Sequence, residues 1–208
     1  MNILIVDDHA VVRLGLMQLI KEAYPYAKLE EAATGKEALG LLDRVRWDLV
    51  ILDVNLPDQN GIDLLKALKA SHASIPVMML SLHPEEQYAL RALKSGAAAY
   101  LTKERAPEEL ATAIKQVIAG RKFITATLAE RLAAIVLSPT GQLPHERLSD
   151  REFQVLCAIG NGRTVSAIAG DLALSVKTVS TYRTRLLEKL QAKNTTDLIR
   201  YTLDHALV

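Results

Sequence analysis

The sequence predicts an α/β fold. A flavodoxin-like, doubly wound, five-stranded parallel sheet comes first, and a small all-α four-helix domain containing a helix-turn-helix follows. Three observations carry this. Short apolar runs alternate with amphipathic helical stretches over residues 1–120, as buried parallel strands and their crossover helices do. The alternation stops after Gly120, and from Ser149 the pattern is purely helical. Finally, polar residues sit where the apolar runs stop, at the strand ends where such sheets gather their chemistry.

The elements follow in order. Strands are expected at residues 2–6, 27–32, 48–53, 75–81 and 97–101, with helices near 10–22, 35–46, 61–71, 85–95 and 107–119. Asn2-Ile-Leu-Ile-Val6 runs into Asp7 and Asp8. Thr34-Gly-Lys-Glu37 reads as a capping box opening the second helix. Leu49-Val-Ile-Leu52 meets Asp53, and Val77-Met-Met-Leu80 meets Ser81. Ala97-Ala-Ala-Tyr-Leu101 is followed at one remove by Lys103. Pro107, with Glu108 and Glu109 behind it, suits a first helical turn, where its missing N–H does no harm and acids face the dipole. Residues 121–148 hold a helix over about 126–136, then Ser138-Pro-Thr-Gly-Gln-Leu-Pro144, which reads as a linker. Ser149-Asp-Arg-Glu152 is a second capping box, opening helix 150–160, and Gly160-Asn-Gly162 ends it. Thr164 caps a short helix to about 172, Ser175 a longer one to about 190, and Asn194 or Thr195 starts the last, to about 206. The expected organisation is a domain at 1–120, a linker at 121–146 and a second domain at 147–208.

Composition narrows the class. No stretch of the 208 residues approaches a membrane span, and Asp7-Asp8 directly behind the first apolar run argue against a signal peptide. Cys157 is the only cysteine, which fits a reducing cytoplasm, and its apolar helical setting suits a buried thiol. The net charge of +1 divides unevenly: residues 1–120 carry −3 and residues 121–208 carry +4. An acidic half joined to a basic half suggests that only the second meets a polyanion.

In a 2-1-3-4-5 sheet, Asp7, Asp8 and Asp53 crowd one crevice. Like charges so close raise one another's pKa unless a cation compensates, and a hard divalent ion bound by carboxylates, a carbonyl and waters is the expected remedy, with Mg²⁺ fitting best. Such an ion shields Asp53 as it attacks a phosphoryl donor. His9 reads as a helix-start residue, since no Cys or second His stands nearby, and Gly61 as a turn residue.

Residues 1–120 resemble the receiver domain of two-component response regulators, and Asp53-Val-Asn-Leu-Pro-Asp-Gln-Asn-Gly61 looks like the run that follows the family's phosphoacceptor. The resemblance implies that Asp53 accepts phosphate from a histidine kinase, while Asp8, Asp53 and the Asn55 carbonyl hold Mg²⁺. Asp7 would orient the metal's waters, Lys103 and Ser81 would engage the phosphoryl group, and Tyr100 would follow by swinging inward. Glu104 stands where the family pattern usually has proline.

Sorted at about 100° per residue, helix 176–190 buries Val179, Leu186 and Leu190, with Leu187 beside them. Lys177, Thr181, Thr184 and Glu188 lie opposite, flanked by Ser180 and Arg185. Small hydroxyls bracketed by cations suit base edges and phosphates. Residues 147–206 resemble the LuxR/NarL-type helix-turn-helix through Leu148-Ser-Asp-Arg-Glu152, Lys177-Thr-Val179, Tyr182-Arg183 and Lys189-Leu190. The resemblance implies base contacts from Ser180, Thr181 and Thr184, and phosphate contacts from Lys177, Thr178, Tyr182 and Arg185. Arg183 is assigned by phase to a structural pair with Glu152. In the family the last helix dimerises, which would give Leu198, Ile199 and Leu203 a partner; packing within their own domain accounts for them equally well. Ala173 and Gln191 occupy positions where many relatives have glycine for φ > 0, and Glu188 replaces a frequently basic residue.

The function expected is that of a cytoplasmic, DNA-binding transcriptional response regulator, not an enzyme. Its expected partners are a histidine kinase or other phosphodonor, double-stranded promoter DNA and, when phosphorylated, a second copy of itself, with no membrane. Two other readings exist. A haloacid dehalogenase-type phosphohydrolase would favour D-x-D, where Asn55 replaces the second acid. A phosphate-independent DNA-binding protein would use the receiver only to dimerise.

Overall fold

The computed structural model describes residues 1–82, 85–137 and 143–208. The chain divides into two compact units, Met1–Leu132 and Ala133–Val208. Among the described residues no helix is long and apolar enough to cross a membrane.

In the first unit, β1 (Asn2–Val6), β2 (Lys28–Ala32), β3 (Leu49–Asp53), β4 (Val77–Ser81) and β5 (Ala99–Thr102) form one parallel sheet in the order β2-β1-β3-β4-β5. The helices α1 (Ala10–Ala23), α2 (Gly35–Leu42), α3 (Gly61–Ser71), α4 (Glu85–Lys94) and α5 (Ala106–Ile118) alternate with the strands. Every residue of β3 and β4 is buried, which is why their sequences are continuously apolar rather than alternating. Ile3, Ile5, Ile51, Met78 and Leu101 pack with Leu16 and Ile20 of α1 and Leu110 and Ile114 of α5. The intervening residues, such as Leu4, Leu52, Met79 and Tyr100, are equally buried and point to the other face by the two-residue period of a strand. Burying one such side chain contributes about 1.5–3 kcal/mol. The edge strand β2 leaves Lys28, Glu30 and Glu31 exposed, charges that discourage pairing with another chain.

Two local details depart from expectation. The helix expected to reach residue 46 ends at Leu42, because Trp47 turns back to bury its indole and donates Nε1–H to the Leu41 carbonyl at 3.2 Å. Thr34 Oγ1 accepts from the Glu37 amide at 3.1 Å as expected, but the Glu37 carboxylate accepts from Ala33, one residue outside the cap. Asp58 completes that helix start from a distant loop, its carboxylate accepting from the Gly35 and Lys36 amides at 2.9 Å each.

α6 (Ala126–Leu137) follows. Thr125 Oγ1 accepts from the Leu128 amide and donates to Glu85 Oε2. Of the expected linker Ser138–Pro144, residues 138–142 lie outside the described residues. Pro144–Arg147 forms a 3₁₀ turn that the sequence reading missed. It is held by His145, whose Nδ1 lies 3.0 Å from the Tyr201 hydroxyl.

The second unit contains α7 (Asp150–Gly160), α8 (Val165–Asp171), α9 (Val176–Lys189) and α10 (Thr195–Asp204). Ser149, Thr164, Ser175 and Asn194 each accept an amide of their helix's first turn, and Ser149 with Glu152 forms the full capping box. Removing such a cap costs about 1 kcal/mol. Phe153, Leu156, Ile168, Val179, Leu186 and Leu198 are buried, and Cys157 is a buried thiol outside any disulfide. Gly160 lets α7 approach α10, since a Cβ there would lie 2.4 Å from Thr202 Oγ1. Ala173 and Gln191 do adopt positive φ, at 51° and 55°, as does Ala206 at 48°.

Candidate functional site

The acidic pocket is built by strand register. Val6 of β1 lies beside Leu52 of β3, so the next residues, Asp7 and Asp53, are neighbours at the carboxyl edge. The Asp7 amide extends the pairing by donating to the Ala32 carbonyl at 3.1 Å. Asp7 and Asp53 are 1 % and 3 % exposed, whereas Asp8 reaches solvent. From the other side, the Lys103 amide donates to the Ser81 carbonyl at 2.7 Å, tying the end of β5 to the end of β4. The Lys103 ammonium then lies between the two buried acids, 2.9 Å from Asp53 Oδ2 and 2.6 Å from Asp7 Oδ2. The first contact is a hydrogen bond; the second is an ion contact off the line of one.

Charge in the pocket is unbalanced. Burial pushes the Asp53 carboxyl up, Lys103 pulls it down and Asp7 pushes it up again, for a result of about 6. The Asn55 amide, donating to the same carboxylate, lowers it a little. For Lys103, burial disfavours the ammonium, but Asp53 and Asp7 outweigh it and hold its pKa above the ordinary value. Three carboxylates against one ammonium leave room for a divalent cation, and oxygen donors are what a hard ion takes. The residues therefore fit Mg²⁺ on the chemistry of their donor set.

The other expected receiver residues divide into two groups. Asn55 pairs with Asn60 in a short bridge where the chain leaves β3, and Ser81 is the fully buried last residue of β4. Both lie at the pocket's edge. Tyr100 lies inside β5, opposite Met79 and 1 % exposed, on the face away from α1 and α5.

Two residues matter more than their sequence positions suggest. Gly61 passes so close to the phosphoacceptor candidate that a Cβ would sit 2.0 Å from the Asp53 carbonyl oxygen, and its amide donates to Val54 at 2.8 Å. It is a turn residue, but the turn fixes Asp53. His9 does stand at the start of α1, yet its ring makes no cap bond. Its Nδ1 is instead 2.7 Å from Asp8 Oδ1 and 3.3 Å from Asp7 Oδ1. One ligand atom from each of Asp7, Asp8, His9 and Asp53 lies within 4.8 Å of the others. The dipeptide spacing held that signal only if the ring turned toward the acids.

On α9 the stripe read from the sequence is the exposed one. Lys177, Ser180, Thr181, Thr184 and Arg185 are exposed, Thr178 and Tyr182 are half-buried, and Val179 and Leu186 are buried. Thr181 Oγ1 donates to the Lys177 carbonyl at 3.0 Å and Thr184 Oγ1 to that of Ser180 at 3.1 Å. These hydroxyl protons are committed to the helix, so the two oxygens face outward as acceptors. Thr178 Oγ1 lies 2.7 Å from the capping Ser175 Oγ. The expected Arg183–Glu152 pair is not formed. Arg183 Nε donates to Thr195 Oγ1 at 2.8 Å, and Glu152 is met by Lys189 at 2.7 Å. The last turn of α9 brings Lys189 to the start of α7, while Arg183 faces the start of α10.

Residues 3–115 match the family described as the response regulator receiver domain, and residues 146–202 match that of bacterial regulatory proteins, luxR family. The chain is 31% identical over 207 residues to the response regulator UvrY of Escherichia coli K12, covering 99% of this chain and 95% of UvrY. It is 33% identical over 208 residues to the response regulator GacA of Pseudomonas aeruginosa, covering 100% of this chain and 97% of GacA. Among solved structures, the RcsB response regulator of Salmonella typhimurium is 25% identical, covers 98% of both chains and superposes with a TM-score of 0.59. RcsB solved as a complex with DNA gives 25% identity, 98% coverage of both chains and a TM-score of 0.60.

Proposed function

The chain belongs to the two-component response regulators that join a receiver domain to a LuxR-family regulatory domain, and from that premise we propose that phosphorylation of Asp53 controls promoter binding through α9. The observation that carries this reading is the Lys103 ammonium held between Asp7 and Asp53. It is a preformed cation at the place where an added phosphoryl group would carry negative charge.

In this reading the phosphoryl group leaves a phosphohistidine of the kinase. An Asp53 oxygen forms the new O–P bond as the N–P bond breaks, and the histidine nitrogen keeps the electron pair. Asp8, Asp53 and the Asn55 carbonyl would hold Mg²⁺, and Asp7 would orient its waters. The ion, when bound, supplies charge neutralisation for the transferring group. Lys103 turns from Asp53 to the phosphoryl oxygens, Ser81 gives its hydroxyl to them, and Tyr100 packs behind Ser81. Gly61 keeps the Asp53 backbone in place. These shifts change an equilibrium between two states only through their different energies in each.

The readout is the second domain. Ser180, Thr181 and Thr184 meet base edges, while Lys177, Thr178, Tyr182 and Arg185 hold phosphates. The DNA complex of RcsB supports DNA as the partner of such a domain. Two half-sites read by a phosphorylated homodimer would compensate for the modest charge of one domain. The working boundaries are a receiver at 1–120, a linker at 121–146 and a DNA-binding domain at 147–208, acting in the cytoplasm as a switch rather than a turnover enzyme. The phosphohydrolase alternative lacks its second acid at Asn55, and a receiver used only for dimerisation would leave the acidic pocket without a task.

Incubation with a small acyl phosphate, followed by mass mapping, tests the site. One phosphoryl group on the Asp53 peptide, dependent on Mg²⁺ and lost in Asp53→Asn, is the expected result. Steady turnover of phosphate esters, or labelling elsewhere, would reject the reading.

A further inference from the structure

The imidazole in the acidic pocket has no task in the reading above. Magnesium binds oxygen and gains little from a ring nitrogen, whereas first-row transition ions take imidazole readily. His9 is placed to offer one. Its amide donates to Asp7 Oδ1 at 2.8 Å, which fixes its backbone on the pocket rim. Its Nδ1 lies closer to Asp8 than to Asp7, and its side chain is more than half exposed, on the solvent side of the cluster. The buried partner, Asp7, is 1 % exposed and has one oxygen that satisfies no hydrogen-bond geometry despite the nearby ammonium.

We infer that His9, with Asp8, Asp7 and Asp53, makes this pocket a selective site for imidazole-accepting divalent ions such as Mn²⁺ and Ni²⁺, which compete there with Mg²⁺. The inference rests on the reading of the pocket as a divalent-cation site. It adds that the ion's identity is chosen by His9, a specificity-determining residue that the Mg²⁺ reading leaves out. An oxygen-only site would rank these ions less steeply than one containing a nitrogen donor. A transition ion seated on His9 and Asp8 would therefore occupy the pocket at concentrations where Mg²⁺ is still exchanging.

The test uses the full chain at pH 7.5. Calorimetric titrations with Mg²⁺, Mn²⁺ and Ni²⁺ are compared for wild type, His9→Ala and His9→Gln. The expected result is that both variants bind Ni²⁺ about tenfold or more weakly, and Mn²⁺ measurably more weakly. Their Mg²⁺ affinity should stay within about twofold, because an oxygen site keeps its ligands. Electron spin-echo modulation of the Mn²⁺ complex should show nitrogen coupling in wild type and none in either variant. Equal Ni²⁺ affinities in all three proteins, or no nitrogen coupling in wild type, would overturn the inference while leaving the Mg²⁺ site intact. Absence of Mg²⁺ binding in every protein would instead reject the reading of the pocket itself.

Discussion

Asp53 carries a charge that its surroundings do not fully balance. Burial raises its carboxyl from 3.8 to about 6 against the pull of Lys103. A raised acid is a liability only when ionised, so the penalty is absent below the unfolded value and complete above about pH 6. Asp53→Asn should therefore stabilise the metal-free protein by about 3 kcal/mol at pH 7.5 and progressively less toward pH 4. Denaturation followed through Trp47, the single tryptophan, buried in the first unit, measures this. No stabilisation at pH 7.5 would mean that Lys103 already neutralises the site. Gly61→Ala should act oppositely, losing about 1–3 kcal/mol in the same measurement as its Cβ pushes into the Asp53 carbonyl. At this scale the sequence was legible for charge and mute on reach. Acids at the ends of apolar runs named the pocket, because strand ends converge by topology alone. The rotamer that turns His9 onto Asp8, and the choice of Lys189 over Arg183 for Glu152, depend on distances that no spacing encodes.

Among the elements, α7 and α9 are joined by one buried carboxylate. Burial raises Glu152, but Lys189 and the Ser149 bonds outweigh it and leave its pKa below the ordinary 4.5. A depressed acid stabilises above its unfolded pKa and loses that contribution as pH falls through the folded one. Helical stability should thus decline below about pH 4.5 in wild type, and Glu152→Gln should flatten that decline, as read by far-ultraviolet circular dichroism. For α9, Lys177→Ala and Arg185→Ala should weaken binding evenly across DNA sequences and each lower the salt slope by about 1. Thr181→Ala should alter sequence preference with little change in slope, and fluorescence anisotropy over a salt series separates the two behaviours. Helix starts were legible because a capping side-chain oxygen is a local signal, borne out at Ser149, Thr164, Ser175 and Asn194. Helix ends were less so. The second helix stops four residues short of its expected end because Trp47, five residues beyond its last turn, is drawn into the core.

The whole molecule joins an acidic half to a basic one, −3 against +4. Strand order and the class of each half were readable, since both follow from the period and length of apolar runs; the 3₁₀ turn at Pro144–Arg147 was not, because it depends on a tertiary contact with Tyr201. Sedimentation velocity should show a phosphodonor and Mg²⁺ together shifting wild type toward dimer and leaving Asp53→Ala unchanged. The most direct measurement of the central claim combines both halves: mobility shift on DNA selected from a random pool, with wild type and Asp53→Ala, each with and without Mg²⁺ and phosphodonor. Wild type should bind more tightly once phosphorylated, while the variant keeps only the unstimulated affinity. Equal affinities in all four conditions would contradict a phosphorylation switch.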